Sequence, residues 1–192
     1  MYVLALYGSP RQQGNTDILL DEFLKGVSST NQVVQIEKVF IRDLKISSCQ
    51  EYNVCLKTGE CIIKDEMTTL YDKLLKADFV VLSSPIFFYS VPAQVKIIID
   101  RCQSLWARKY VLKKNMLKSD NRKGFFISVG ATKGENLFIG ATLTVKYFFK
   151  AINVDYAGDI FYKNIDTKDA IKSHPTALKD AFQAGQRLIS KL

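Results

Sequence analysis

The chain has 192 residues, of which 47% are hydrophobic and 24% are charged, an ordinary composition for one globular domain with a sizeable core. Disorder is therefore not expected, and residues 1–192 are predicted to form a single domain. The apolar runs are much shorter than a membrane span, and the first residues lack a secretion signal, which predicts a cytoplasmic protein without a membrane partner.

The net charge is +8, and the basic residues are densest between Arg108 and Lys123, where seven Lys or Arg residues accompany one acid. This stretch contains one aromatic residue, Tyr110, and matches no DNA- or RNA-binding motif. A solvated loop, or a site that attracts anionic cofactors, is therefore favoured over a nucleic-acid surface.

Apolar, β-branched runs alternate with segments of helical periodicity, which is the pattern of a parallel α/β sheet. The five predicted strands are residues 2–7, 33–39, 78–83, 124–129 and 154–161. The five predicted helices are residues 16–27, 65–76, 92–106, 136–152 and 169–192, with Pro175 starting the last regular stretch. The alternation predicts a three-layer, doubly wound sheet in the flavodoxin-like order 2-1-3-4-5, with a ligand crevice between strands 1 and 3.

Residues 8–16, which we name the phosphate loop, follow the first predicted strand and read Gly-Ser-Pro-Arg-Gln-Gln-Gly-Asn-Thr. Backbone N–H groups in such a loop, together with the positive end of the next helix, favour an anion. Ser9, Asn15 and Thr16 add side-chain hydrogen bonds, and Arg11 adds a guanidinium that suits phosphate oxygens. The alternative is a plain strand-to-helix turn, capped by Asn15 or Thr16.

The spacing within the phosphate loop narrows the ligand class. Five residues separate Gly8 from Gly14, and Asn15 stands where a nucleoside-triphosphate loop needs lysine. Pro10 interrupts the glycine pattern of a dinucleotide site. A single terminal phosphate, such as that of FMN, suits a loop with hydroxyls and one arginine.

A second informative segment, residues 84–89, follows the third predicted strand and reads Ser-Pro-Ile-Phe-Phe-Tyr. The predicted strand order brings it next to the phosphate loop. Phe87 and Phe88 could be core aromatics, but their position between a strand end and the helix start at Pro92 favours a binding loop. The two loops together suit a flat aromatic ring with a phosphorylated tail, which is the shape of FMN.

Ordered motifs over the first two thirds of the chain resemble the NADPH-dependent FMN reductase-like flavoproteins, in particular their iron-sulfur flavoprotein branch. The motifs are Gly8-Ser9-Pro10-Arg11, Gly14-Asn15-Thr16, Ala77-Asp78, Ser84-Pro85-Ile86-Phe87-Phe88, Lys96 and Asp100-Arg101.

The resemblance implies an FMN oxidoreductase that takes hydride from NAD(P)H, passes electrons to a small-molecule or protein acceptor, and forms a homodimer or homotetramer. A non-enzymatic FMN electron carrier, with or without an iron-sulfur cluster, is the alternative. The FMN contacts that the family resemblance implies are Ser9, Arg11, Gly14, Asn15, Thr16, Pro85, Ile86, Phe87, Phe88 and, more weakly, Thr132.

No catalytic side chain is expected, because the flavin supplies the redox chemistry and the protein orients it. Backbone N–H groups of residues 86–90 are expected at the reactive edge of the ring. His174 is predicted to have a surface role, and Asp100-Arg101 a structural one. A phosphoacceptor receiver domain is excluded, because Tyr7-Gly8-Ser9 supplies no acid.

The iron-sulfur branch carries a cysteine motif for a four-iron cluster, and the corresponding positions here are Cys49, Tyr52, Cys55 and Cys61. Tyrosine thus occupies the second ligand position, whereas four thiolates normally complete such a cluster. An oxygen ligand or an incomplete cluster stays open, but free thiols in a residual loop are the more economical interpretation, so we expect no metal ligands. Cys102 lies on the apolar face of a predicted helix, where a buried thiol is the default.

Overall fold

The computed structural model describes residues 1–114 and 121–190. Five parallel strands form one sheet in the order β2-β1-β3-β4-β5, which confirms the predicted topology. The strands are β1 (Tyr2–Tyr7), β2 (Gln35–Phe40), β3 (Phe79–Pro85), β4 (Lys123–Val129) and β5 (Asp155–Tyr162). Their bounds lie within two residues of the predictions, because buried parallel strands are near-continuous apolar runs.

The helices are α1 (Asn15–Ser28), α2 (Cys55–Thr58), α3 (Met67–Lys76), α4 (Ala93–Arg101), α5 (Gln103–Trp106), α6 (Ile139–Ala151) and α7 (Ala177–Ser190). The predicted helix 92–106 is interrupted at Cys102, and α2 is an element that was not predicted. The predicted helix 169–192 is regular only from Ala177, after Pro175, and its residues 191–192 lie outside the described part. None of the described helices has the length and apolar character needed to cross a bilayer.

Helices cover both faces of the sheet. On one face, α1 and α7 pack with Phe23 and Leu188 in the core; on the other, α3 to α6 bury residues such as Leu74 and Phe148. Helices α1 and α7 cross very closely, because a Cβ at Gly26 would overlap the Phe182 backbone. This packing fixes the C-terminal half of α1 against α7.

Arg122 belongs to the basic stretch 108–123 but is a core residue, 2% exposed. Its guanidinium donates to the carbonyls of Ala77 at 2.7 Å and Ile152 at 2.6 Å, and also to that of Leu74. Burial lowers the pKa of Arg122 to about 10. Residues 115–120 of the basic stretch lie outside the described residues, so the structure bears on only part of it.

Candidate functional site

A cleft at the carboxyl ends of β1, β3 and β4 brings the two predicted loops together, as the strand order requires. Five predicted residues of the phosphate loop and three from the segment after β3 line it. They are Ser9, Arg11, Gly14, Asn15 and Thr16 on one side, and Pro85, Ile86 and Phe87 on the other.

Two predicted site residues, Phe88 and Thr132, do not line this cleft. The Phe88 side chain is fully exposed, and its backbone has a positive φ of 48°. The Thr132 carbonyl accepts the Asn164 N–H at 3.4 Å, and Val129 and Ala131 line the cleft from this strand end.

The phosphate loop is fixed by short-range bonds. The Gly8 N–H donates to the Ser83 carbonyl at 2.7 Å, while the Ser9 hydroxyl donates to the Arg11 carbonyl at 3.0 Å and accepts the Arg11 N–H at 3.1 Å. A Cβ at Gly14 would lie 2.6 Å from Ser9 Oγ, so a side chain there would push the Ser9 hydroxyl from its bonds with Arg11.

Helix α1 begins after Gly14, which has no side chain to cap the first-turn N–H groups. The prediction of a cap from Asn15 or Thr16 is therefore wrong. The Thr16 hydroxyl is buried, with 1% of the residue exposed, and has no hydrogen-bond partner among the described residues. A buried hydroxyl normally has a partner, so this atom fits a site for a polar ligand at the start of α1.

Asn15 has a structural role that its position did not reveal. Its side-chain amide donates to the Thr167 carbonyl at 2.9 Å, and its carbonyl oxygen accepts the Ile171 N–H at 3.2 Å. The side chain therefore ties the phosphate loop to the segment after β5.

The segment after β5 adds three cleft residues that the sequence reasoning missed, Ile165, Asp166 and Lys168. The Ile165 N–H donates to the Gly130 carbonyl at 3.1 Å, which holds this segment beside the end of β4. Their position directly after the last predicted strand could have indicated them, because every loop that follows a parallel strand lies at the same edge of the sheet.

The segment after β3 forms a tight turn. The Ile86 N–H donates to the Val129 carbonyl at 3.0 Å, and Phe87 and Ser90 exchange two backbone bonds of 2.9 Å. Of the five backbone donors expected at residues 86–90, three are therefore already bonded, two within the turn and one to β4. The N–H groups of Phe88 and Tyr89 have no backbone acceptor within the described ranges.

A buried ion pair lies below the phosphate loop. Arg42 Nη1 donates to Asp17 Oδ2 at 2.9 Å and to the Ser9 carbonyl at 3.3 Å. Burial raises the pKa of Asp17 to about 6, although Arg42 opposes this shift. The pair connects α1 to the chain after β2, and Arg42 also holds the Ser9 carbonyl.

The sequence profile of the NADPH-dependent FMN reductase family matches residues 1–151. The chain belongs to this family. An iron-sulfur flavoprotein from Archaeoglobus fulgidus is 30% identical over 99% of this chain and 96% of its own length. Membership makes the chain an FMN-binding flavoprotein and an FMN-dependent oxidoreductase.

Solved structures support the fold. An FMN-dependent NADH-azoreductase from Bacillus anthracis, in complex with FMN, has a TM-score of 0.71 at 14% identity and covers 98% of this chain and 99% of its own. A flavone reductase has a TM-score of 0.72 at 17% identity; this chain is covered to 99% but spans 62% of that protein.

The cleft fits the FMN phosphate by its chemistry. Thr16, with its unpartnered buried hydroxyl at the uncapped start of α1, lines the same cleft as Arg11. Helix starts and guanidinium groups are common phosphate ligands.

Residues 47–65, which we name the cysteine loop, lie apart from this cleft. Cys49, Cys55, Cys61 and Tyr52 line one cavity of about 490 Å³. All four cysteines of the chain are free, and burial raises the pKa of both Cys55 and the fully buried Cys102.

The cysteine loop does not fit a four-thiolate cluster, because it offers three thiols and a tyrosine. Within residues 1–114 and 121–190, no group of three or more His, Cys, Asp or Glu side chains is arranged to hold a metal ion.

Three residues that the sequence analysis singled out, His174, Asp100 and Arg101, have structural contacts. His174 Nδ1 accepts the Ala177 N–H at 3.2 Å at the start of α7, and its ring packs edge-on against Tyr162. Asp100 pairs with Lys96 and not with Arg101, which instead binds Asp65.

Proposed function

We propose that residues 1–192 form a single FMN-binding domain that oxidises NAD(P)H and passes the electrons to a small-molecule or protein acceptor. The observation that carries this proposal is the Thr16 hydroxyl, which is buried and unpartnered at the uncapped start of α1. The description of the family as NADPH-dependent supports the choice of reductant.

The phosphate loop provides the anchor in this proposal. The Thr16 hydroxyl and the first-turn N–H groups of α1 donate to the phosphate oxygens, and Arg11 closes the site from its exposed side. Arg42 and Asp17 stabilise this anchor, because their contacts hold the Ser9 carbonyl and the first turn of α1 together.

The segment after β3 orients the ring. Pro85, Ile86 and Phe87 provide an apolar wall, while the N–H groups of Phe88 and Tyr89 are the donors that the turn leaves for the ring edge. When bound, FMN supplies the redox chemistry by accepting a hydride from the nicotinamide and later releasing the electrons.

The net charge of +8 suits a polyanionic reductant. Long-range attraction raises the encounter rate of an anionic dinucleotide with a basic protein. Arg11 and Lys168 place two of the basic side chains at the cleft itself.

A homodimer or homotetramer is part of the proposal. Ile139, Leu143 and Tyr147 follow one another at helical spacing along α6 and are 61%, 56% and 64% exposed. This apolar stripe begins beside the turn after β3, because a Cβ at Gly140 would touch the Tyr89 carbonyl. Exposed apolar stripes of this kind favour self-association. We expect Leu143→Lys to lower the molar mass in solution, as measured by sedimentation equilibrium.

The anchor is tested by FMN titration of the apoprotein with Thr16→Val. We expect the FMN dissociation constant to rise about 10-fold or more, the usual loss for a hydrogen bond to a charged group. Thr30→Val is the matched control, since the Thr30 hydroxyl bonds to the Val27 carbonyl at the far end of α1. Equal affinities of the two variants would refute the assignment of Thr16.

The reaction is tested by stopped-flow mixing of the yellow protein with NADPH or NADH. We expect rapid loss of the flavin absorbance with at least one of them. Reduction by dithionite but by neither nicotinamide would instead support an electron carrier that receives its electrons from a redox protein.

A further inference from the structure

The cysteine loop is firmly held at both ends by one buried arginine. The Arg101 side chain is 0% exposed and donates to the Ser47 carbonyl at 2.8 Å and to the Ile63 carbonyl at 3.1 Å. It also makes two bonds to the Asp65 carboxylate, at 2.7 and 3.2 Å. These contacts bring the two ends of the loop together around the base of the cavity.

The centre of the loop is also held. Arg108 Nε donates to the Gly59 carbonyl at 2.8 Å, directly after the short helix α2. Gly59 has a φ of 80°, the left-handed conformation that ends the helix. The segment between Cys55 and Cys61 therefore has one defined path.

Position 52 lies between two residues with left-handed backbone, Glu51 with φ 52° and Asn53 with φ 57°. The Tyr52 side chain lines the same cavity as the three cysteines but is 64% exposed. Its phenol oxygen lies several bonds further from the backbone than a cysteine sulfur would. A tyrosine therefore cannot place a ligand atom where a thiolate at this position would be.

We propose that Tyr52, at the position where a fourth thiolate would be needed, keeps this loop from holding a four-iron cluster, so that the natural chain has a cluster-free cavity with three free thiols. Three of the four thiols that such a cluster needs line one cavity. The clamps from Arg101 and Arg108 do not involve position 52. The chain thus retains the scaffold of its iron-sulfur relatives without the complete donor set. This inference is independent of the proposed reaction at the FMN cleft.

The test is a gain of function in the full chain. Wild type, Tyr52→Cys and Tyr52→Phe are purified without air, incubated with ferrous iron, sulfide and a thiol reductant, and desalted. Iron and acid-labile sulfide are then measured per chain, together with the absorption spectrum and the electron paramagnetic resonance signal after reduction.

We expect Tyr52→Cys to bind about four iron and four sulfide per chain, at least about 10-fold more than the wild type and Tyr52→Phe. In the double variant Tyr52→Cys with Cys61→Ser, the uptake should fall back to the wild-type level. Titration of the native wild type with a thiol reagent should modify Cys49, Cys55 and Cys61, whereas Cys102, 1% exposed, should react after denaturation.

Stoichiometric iron and sulfide in the wild type would overturn the proposal, whatever the cluster type. So would a Tyr52→Cys variant that binds FMN with wild-type affinity and yet takes up no iron. FMN titration of each sample confirms that the chain is folded, and it separates a failure of this inference from a failure of the proposed reductase function.

Discussion

The phosphate loop and the cysteine loop both have a defined backbone path, but they differ in whether their polar groups have hydrogen-bond partners. In the phosphate loop, the Thr16 hydroxyl is buried without a partner and the first turn of α1 has no cap. In the cysteine loop, the carbonyls of Ser47, Ile63 and Gly59 are already bonded to arginine side chains. The first loop has a buried hydroxyl without a partner; in the second, the two arginines satisfy these three carbonyls, although Arg101 Nε itself has no partner among the described residues.

This difference shows that an ordered loop is not by itself a sign of a bound cofactor. A fixed backbone around a site and the full number of ligand atoms for a cofactor are separate properties. In the proposed function the phosphate loop has both for a phosphate, whereas the cysteine loop has one thiol too few for a four-iron cluster.

The largest effect is expected from breaking the clamp of the cysteine loop with Arg101→Met. The free energy of unfolding should fall by about 3 to 4 kcal/mol, because Asp65 is left as an unpaired charge and two carbonyls lose their donors. Urea denaturation measures this loss. The FMN dissociation constant should stay within about 3-fold, because Arg101 does not line the cleft.

Lys96→Met on the same helix is the matched control for Arg101→Met. Lys96 pairs with Asp100, and both side chains are about half exposed, so its removal should cost about 0.5 kcal/mol or less. Similar losses for the two variants would mean that Arg101 does not clamp the loop.

The second prediction concerns the phosphate loop. Gly14→Ala should raise the FMN dissociation constant about 30-fold, because the added Cβ would lie 2.6 Å from Ser9 Oγ and must displace the loop. Fluorescence titration with FMN measures the effect. The apoprotein should lose about 1 kcal/mol of stability or less, since Gly14 has the ordinary backbone angles φ −67° and ψ 167°. Unchanged FMN affinity would place the phosphate elsewhere.

The third prediction, of about the same size as the second, is the pH dependence from Asp17, whose pKa is raised to about 6 by burial. Because this value exceeds the unfolded-state pKa, the folded chain binds the proton more tightly, and the contribution favours folding at low pH. It is lost as the pH rises through about 6.

Asp17→Asn removes this titration. Between about pH 4 and pH 7, the free energy of unfolding of the wild-type apoprotein should fall by about 2 kcal/mol more than that of the variant. Urea curves at a series of pH values provide the comparison. Parallel pH profiles for the two proteins would contradict the raised pKa.

Much of the fold could be predicted from the sequence, because the three central strands β1, β3 and β4 are almost wholly buried and read as apolar runs. The exceptions have physical causes. The long predicted helix 92–106 is interrupted at Cys102, where α4 ends and α5 begins. The predicted helix 169–192 is regular only from Ala177. The short turn before it cannot extend into the helix, because Pro175 lacks the N–H that a helix interior requires.

The candidate site was predictable where it depends on the order of the strands. Eight of the predicted contacts share one cleft. Phe88 lies outside it because the chain turns sharply after Phe87, and the short-range sequence does not reveal which of two adjacent aromatics points inward.

The sequence by itself determined the strand order, the phosphate loop and the missing fourth cysteine, because each depends on residue type and spacing along the chain. Only the tertiary structure decided that Asn15 holds the Thr167 segment, that Lys168 reaches the cleft, and that Arg101 clamps the cysteine loop. These partners are far apart in sequence, and their contacts arise when the sheet brings its loops to one edge and its helices together.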